Sequence, residues 1–263
     1  MRGKLAKPEA VARALGALEV RDVRALVVGG IAGAVYGGKS VTKDLDLHLR
    51  ADQHDIARLR QALDDLEARV IAVPTELRWD YLERGFWVHL ECHRSDVAGL
   101  HLDVATRPFG AAPFEEMWAR RLTRQLPGTG VTAHFVSLPD LVALKKTRRK
   151  DDWSTIQQLV DIDYRIGGDT VERSRVRFWL LELRSAQTLI ECAARFGSET
   201  RRLVPERPLL ELALSQDAVA LADAIDEEER LARRADEVRM APILAELERL
   251  RHDARHRGPG GDA

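Results

Sequence analysis

The sequence has few cysteines and no long apolar run. It contains only two cysteines, Cys92 and Cys192, which are too far apart for a disulfide framework or for the paired spacing of a zinc site. No apolar run approaches the length of a membrane span, and the N-terminus lacks the apolar segment of a signal peptide. We therefore expect a soluble cytoplasmic protein with no membrane partner.

The chain also has almost no net charge. Its 41 basic and 42 acidic residues give a formal charge of −1, so no overall field indicates a nucleic acid or a membrane surface as partner. The one dense basic segment, residues 145–150 (KKTRRK), has no aromatic residues between its charges. This composition is typical of a solvated helix surface, although a nucleotide or a tRNA backbone is also compatible with it. Any acidic ligand must therefore bind locally.

The pattern of apolar residues predicts an α/β (α+β) fold with a mixed sheet flanked by helices, followed by a C-terminal helical region. We expect a first domain over residues 1–165, a helical accessory domain over 166–256 and a disordered glycine-rich tail over 257–263. Within the helical region, the spacing predicts helices over 176–196, 209–225 and 228–251, with a linker over 196–208.

The most informative stretch begins with a short apolar run that is stopped by two glycines. Residues 25–28 (ALVV) are typical of a central strand, and Gly29 and Gly30 predict a turn into a helix. Glycines at such a turn let the backbone approach a ligand, and the free N–H groups of the helix attract phosphates. The same pattern is also found in a tight turn without a ligand.

Next along the chain, residues 43–49 (KDLDLHL) alternate strictly between polar and leucine positions. This alternation predicts a strand with Asp44 and Asp46 on the same face. Two neighbouring carboxylates repel one another unless a cation neutralises them, and oxygen ligands of this type suit Mg²⁺ completed by substrate phosphates. The alternative is a solvated strand face that carries two acids.

A predicted β-hairpin over residues 86–106 carries a third acid. Its second strand places His101 and Asp103 on one side and three apolar residues on the other. The first strand places His89 and Glu91 together, so Glu91 is a second candidate for a third carboxylate.

The hairpin also contains four possible zinc ligands, which are His89, Cys92, His93 and His101. A shared tetrahedral site is disfavoured, because Cys92 faces opposite to His89 and His93 on an alternating strand.

Two segments carry a resemblance to a known family. The sequence resembles the DNA-polymerase-β-like nucleotidyltransferases, in particular the branch of AbiEii-type toxins and related bacterial proteins. The first segment fits the pattern GGxAxxxxGxxRxTxDxDL at Gly29, Gly30, Ala32, Gly37, Thr42, Asp44, Asp46 and Leu47. The second, about one residue shorter than the pattern of the branch, matches at Leu138, Asp140, Leu141, Lys145, Arg149, Lys150, Asp151 and Leu159. Together they cover roughly the first three fifths of the chain.

The resemblance implies a nucleotidyltransferase fold that transfers a nucleoside monophosphate from a nucleoside triphosphate to a hydroxyl group. Asp44, Asp46 and Asp103 are then the catalytic residues and the ligands of a two-Mg²⁺ site. The implied nucleotide-binding residues are Gly29, Gly30, Lys39, Ser40, Thr42 and Lys145. The acceptor implied is tRNA, protein or a small molecule, and the implied setting is a toxin–antitoxin or phage-defence system with a cognate partner.

Two other functions remain open from the sequence. One is an antibiotic-modifying nucleotidyltransferase of the aminoglycoside type, in which the C-terminal helices shape the drug pocket. The other is a non-catalytic binding protein or antitoxin that keeps the fold. Ser40 supports the second alternative, because it stands where the branch carries arginine, and the nearest positive charge is on Lys39.

Overall fold

The computed structural model describes residues 6–39, 42–126, 128–168 and 171–256. These residues form two compact units. The first comprises residues up to 35, residues 39–144 and residues from 240 onward, and the second comprises residues 36–38 and 145–239. The domain boundary at residue 165 stays a prediction, since compactness does not test independent folding. The predicted disordered tail lies outside the described residues.

The first unit is built on a mixed sheet that has seven strands among the described residues. In chain order the strands are β1 (Ala25–Val27), β2 (Asp44–Leu49), β3 (Ala68–Val70), β4 (Val88–Cys92), β5 (His101–Ala105), β6 (Leu122–Gln125) and β7 (Thr132–Phe135). Across the sheet their order is β3-β4-β5-β2-β1-β7-β6. The β2–β5 and β1–β7 pairs are parallel and the other pairs are antiparallel. The predicted mixed sheet flanked by helices is therefore confirmed.

Alternation along β2 separates a core face from a polar face. Leu45 and Leu47 are fully buried, whereas Asp44 and Asp46 on the opposite face are only half-buried. On β5, Leu102 and Val104 are buried in the same way. Because successive side chains of a strand point to opposite faces, the apolar positions fix the face on which the acids must lie.

Among the described residues, six helices accompany the strands of the sheet up to residue 145. They are α1 (Pro8–Val20), α2 (Gly29–Val35), α3 (Gln53–Asp65), α4 (Trp79–Glu83), α5 (Phe114–Ala119) and α6 (Leu138–Lys145), the last of which ends at the first residue of the second unit. The polar composition of residues 74–83 predicts a connection without a helix, but α4 forms there and its Leu82 is fully buried. Strand β6 was not predicted, because its exposed side chains as an edge strand show no apolar alternation.

The second unit is helical. Its helices are α7 (Lys150–Ile166), α8 (Arg173–Glu182), α9 (Ala186–Arg195), α10 (Gly197–Leu203), α11 (Leu210–Leu214) and most of α12 (Ala218–His256). No helix within the described ranges is both long enough and apolar enough to cross a bilayer.

Several predicted boundaries in this unit were wrong, among them the helix predicted over 209–225, which is divided into α11 and the start of α12. The helix predicted over 176–196 is interrupted, because Ser185 accepts a hydrogen bond from the backbone N–H of Thr188 and so caps a new helix. The linker predicted over 196–208 contains α10, whose Thr200 is fully buried. The break predicted at residues 226–227 is absent because the sequence there is acidic but contains no glycine or proline, so α12 continues through it.

Candidate active site

Strand β2 presents Asp44 and Asp46 on the polar face of the sheet. Thr42 fixes the start of the strand, since its hydroxyl accepts a hydrogen bond from the Asp44 N–H at 3.2 Å and lies 3.3 Å from the Asp44 carbonyl oxygen. Thr42 was predicted to bind nucleotide, and in the structure it has this local role in holding the backbone of Asp44. Thr42 therefore fixes the backbone at Asp44, the first of the two acids on this strand.

The register of the neighbouring strands groups six polar residues into two rows. In the first row, Asp46 lies opposite Asp103 of β5, and Asp103 lies opposite His89 of β4. In the second row the residues, in the same strand order, are Asp44, His101 and Glu91. We refer to these sets as the first and second polar rows. The third acid proposed from the sequence therefore lies directly across from the Asp44/Asp46 strand.

The first polar row contains a well-formed hydrogen bond. His89 Nδ1 lies 2.8 Å from Asp103 Oδ1, and the two side chains are 40% and 19% exposed. The hydrogen bond to Asp103 raises the pKa of His89 above its usual value, and the charges of Asp103, Asp44 and Asp46 act in the same direction against the effect of burial. His89 therefore experiences the combined negative charge of all three aspartates.

The second polar row is held more loosely. His101 Nδ1 lies 3.2 Å from Asp44 Oδ1, and His101 Nε2 lies 3.5 Å from Glu91 Oε2. Glu91 was the second candidate for the third carboxylate, but it is separated from Asp44 by strand β5 and faces His101. Asp103 is therefore the acid on the strand adjacent to β2.

Gly29 makes room for the first polar row. It is the first residue of α2 and has a φ of +63°. A Cβ atom at this position would overlap the carboxylate of Asp46. The backbone N–H of Val28 also donates to the carbonyl oxygen of Asp46 at 2.9 Å. The glycine at this turn is thus explained by the close approach of Asp46, independently of any phosphate.

The polar face of β2 ends at a buried histidine. His48 is 1% exposed and stacks on Phe114 of α5, with ring centroids 5.3 Å apart. Neither ring nitrogen has a hydrogen-bond partner among the residues that the structure describes. Burial lowers the pKa of His48 to about 4, although the charge of Asp140 acts in the opposite direction. A neutral, apolar contact therefore bounds this end of the acidic face.

The other predicted nucleotide-binding residues are placed as follows. Gly30 is the second residue of α2, Lys39 is exposed, and Ser40 lies outside the described residues. Lys145 belongs to the second unit, where its Nζ lies 3.2 Å from Asp152 Oδ1 and its side chain is 13% exposed. The hydroxyl of Thr147 also donates to Asp152. The charge of Lys145 is thus balanced by an acid from the following helix.

The donor set of the polar face suits a hard cation. Within the described ranges, no three histidine, cysteine, aspartate or glutamate side chains are arranged as a metal-ligand cluster. Asp44, Asp46 and Asp103 nevertheless offer carboxylate oxygens from two adjacent strands, and Mg²⁺ binds through a few such oxygens together with water and phosphate. The zinc combination is not formed, since Cys92 is fully buried on the other face of β4.

Comparison with known proteins gives structural likeness alone. No family model and no curated protein matches the chain. Among solved structures, the antibiotic-resistance factor ANT(2'')-Ia is 17% identical with a TM-score of 0.36, covering 76% of this chain and 95% of its own. An antigenic nucleotidyltransferase-like protein from Paracoccidioides brasiliensis is 15% identical with a TM-score of 0.36, covering 81% and 95%. Likeness at this level assigns neither a family nor an activity to the chain.

Proposed function

We propose that the protein is a metal-dependent nucleotidyltransferase that moves a nucleoside monophosphate from a nucleoside triphosphate to a hydroxyl acceptor. Asp44, Asp46 and Asp103 are its catalytic residues and the ligands of two Mg²⁺ ions. The observation that carries the proposal is the placement of Asp103 directly opposite Asp46, with Asp44 on the same face of the same strand. Carboxylates that share one face of two adjacent strands repel one another, and a divalent cation would offset that repulsion.

The residues of the polar face have distinct roles in this reaction. The acceptor oxygen forms a bond to the α-phosphorus, the bond to the bridging oxygen breaks, and pyrophosphate leaves with the electron pair. Asp44, Asp46 and Asp103 would hold the cations, with Asp103 beside the acceptor hydroxyl, and the proton of that hydroxyl passes to solvent water. When bound, the cations supply charge neutralisation for the triphosphate and lower the pKa of the attacking hydroxyl.

The nucleotide-binding residues proposed are Gly29, Gly30, Lys39, Ser40, Thr42 and Lys145. Support for these residues comes from the sequence resemblance. Lys145 must exchange its ion pair with Asp152 for a phosphate before it can act in this way.

For the acceptor, we propose tRNA or protein, and for the biological setting a toxin–antitoxin or phage-defence system. Both proposals rest on the resemblance to the AbiEii-type branch. The antibiotic-modifying function and the non-catalytic binding function are alternatives that the same experiment separates.

The test is to incubate the protein with each α-labelled nucleoside triphosphate and Mg²⁺, in separate reactions with cellular RNA, cellular protein and an aminoglycoside. We expect label in the RNA or protein fraction, and we expect D44N and D46N to abolish it. D22N is a matched control, because Asp22 is 85% exposed and pairs only with Arg58 among the ion pairs resolved. Label on the aminoglycoside alone would favour the antibiotic-modifying function. Transfer that persists in D44N and D46N would refute the chemistry.

A further inference from the structure

The hydrogen bond between His89 and Asp103 distinguishes these residues from the rest of the polar face. Its length of 2.8 Å is typical of a charge-assisted bond. The contacts of His101 with Asp44 and Glu91 are longer, at 3.2 and 3.5 Å. His89 is thus the histidine whose geometry can fix the orientation of a carboxylate.

The chemistry of the pair defines which atom carries the proton. A carboxylate that serves as a metal ligand can only accept a hydrogen bond, so in that role Asp103 takes its bond from Nδ1–H of His89 at Oδ1. The bond occupies one oxygen of the carboxylate and leaves Oδ2 for another partner. Because His89 lies on β4 and Asp46 on β2, the two residues flank Asp103 from opposite sides along the first polar row.

We infer that His89 is a positioning residue for the third carboxylate. Its Nδ1–H fixes the rotation of the Asp103 side chain and leaves Oδ2 available, so that Asp103 would be held ready to bind a cation together with Asp46. Neighbours that orient metal ligands commonly contribute about ten- to a hundred-fold to affinity. The inference rests on the proposed function, because it assigns the metal to Asp46 and Asp103.

The test measures Mn²⁺ binding by the full chain, using the electron paramagnetic resonance signal of the free ion. We expect H89L, which removes the donor at similar volume, to weaken binding about ten-fold or more. H89N should restore most of the affinity, because the asparagine amide places an N–H close to the position of Nδ1. H93L is the matched control, since His93 is an exposed histidine immediately after the same strand.

A second measurement does not depend on bound metal or on turnover. In the metal-free protein, the Nδ1–H proton of His89 should give a downfield NMR signal that is lost in both H89L and D103N. Thermal melting of each variant establishes that it is folded. The absence of a proton on Nδ1, or an H89L protein that binds Mn²⁺ as tightly as the unmodified chain while D103N does not, would overturn the role of His89 and leave the transferase proposal standing. If the unmodified protein binds no Mn²⁺, the proposed function fails, and this inference fails with it.

Discussion

The tightest packing constraint at the polar face is the contact between Gly29 and Asp46, and the substitution G29A tests it. Gly29 has a φ of +63°, in the left-handed region, where an L-residue costs about 1–2 kcal/mol. The added Cβ would also overlap the Asp46 carboxylate, and overpacking of this kind typically costs about 1–3 kcal/mol. We therefore expect G29A to lower the free energy of unfolding by about 2–5 kcal/mol.

The chain provides a control that separates these two contributions. Gly99 also has a positive φ, +80°, but a Cβ added there would meet no atom within 4 Å. G99A should therefore cost only the backbone contribution of about 1–2 kcal/mol. In the D46A background, which removes the carboxylate but leaves a Cβ at position 46 that would lie 2.9 Å from the added atom, G29A should cost less than in the unmodified chain but still more than G99A, so the two substitutions should show a coupling of about 1–3 kcal/mol.

The assay is urea denaturation followed by circular dichroism, with the four proteins G29A, G99A, D46A and G29A/D46A compared with the unmodified chain. An equal loss of stability in G29A and G99A would show that Asp46 does not press against Gly29. The explanation of the glycine by the position of the acid would then be wrong.

Three further predictions follow from buried groups. His48 has a pKa of about 4 in the folded chain, below its unfolded value of about 6.5. Its contribution to stability is therefore present above pH 6.5 and declines as the pH falls towards 4. Between pH 7 and pH 5 the free energy of unfolding should fall by about 2 kcal/mol. H48F should remove this loss when the free energy of unfolding is measured by urea denaturation at pH 7 and at pH 5. If both proteins lose the same stability between the two pH values, the pH dependence does not come from His48. Arg207 donates to the Leu180 and Leu183 carbonyls and to Glu228 while 3% exposed, so R207M should cost about 3–5 kcal/mol, whereas R230M, at an exposed pair, should leave the urea midpoint unchanged. Burial raises the pKa of Cys92 to about 11 and that of Cys192 to about 12, so iodoacetamide at pH 8 should label neither thiol until the chain is unfolded, and rapid labelling of the native protein would contradict their burial.

Local periodicity predicted much of the polar face. The alternation of residues 43–49 and 99–106 was enough to place Asp44 with Asp46, and His101 with Asp103, because a strand has a period of two. The parallel pairing that sets Asp103 opposite Asp46 joins residues far apart in the chain. Local pattern carries no information about such pairing, and only the family resemblance indicated it.

The features missed from the sequence depend on contacts made in the folded chain. His48 was not singled out, because its burial depends on stacking against Phe114. Lys145 was predicted to contact phosphate, and its pairing with Asp152 arises from the geometry of the turn between two helices. Two separate helices were predicted over 209–225 and 228–251, but α12 runs through residues 226–227, where the acidic sequence is compatible with a continuous helix.

The parallel pairing of β2 with β5 also affects the order in which the molecule can be assembled. Asp103 joins the two aspartates of β2 only after the chain has passed through α3, β3, α4 and β4 and returned to the same sheet as β5. Such long-range pairing is slow to form, because the entropy of closing a large loop is lost before any stabilising contact between the strands is made. The concentrated negative charge is therefore a property of the completed sheet, and fragments or early folding intermediates that lack β5 do not carry it.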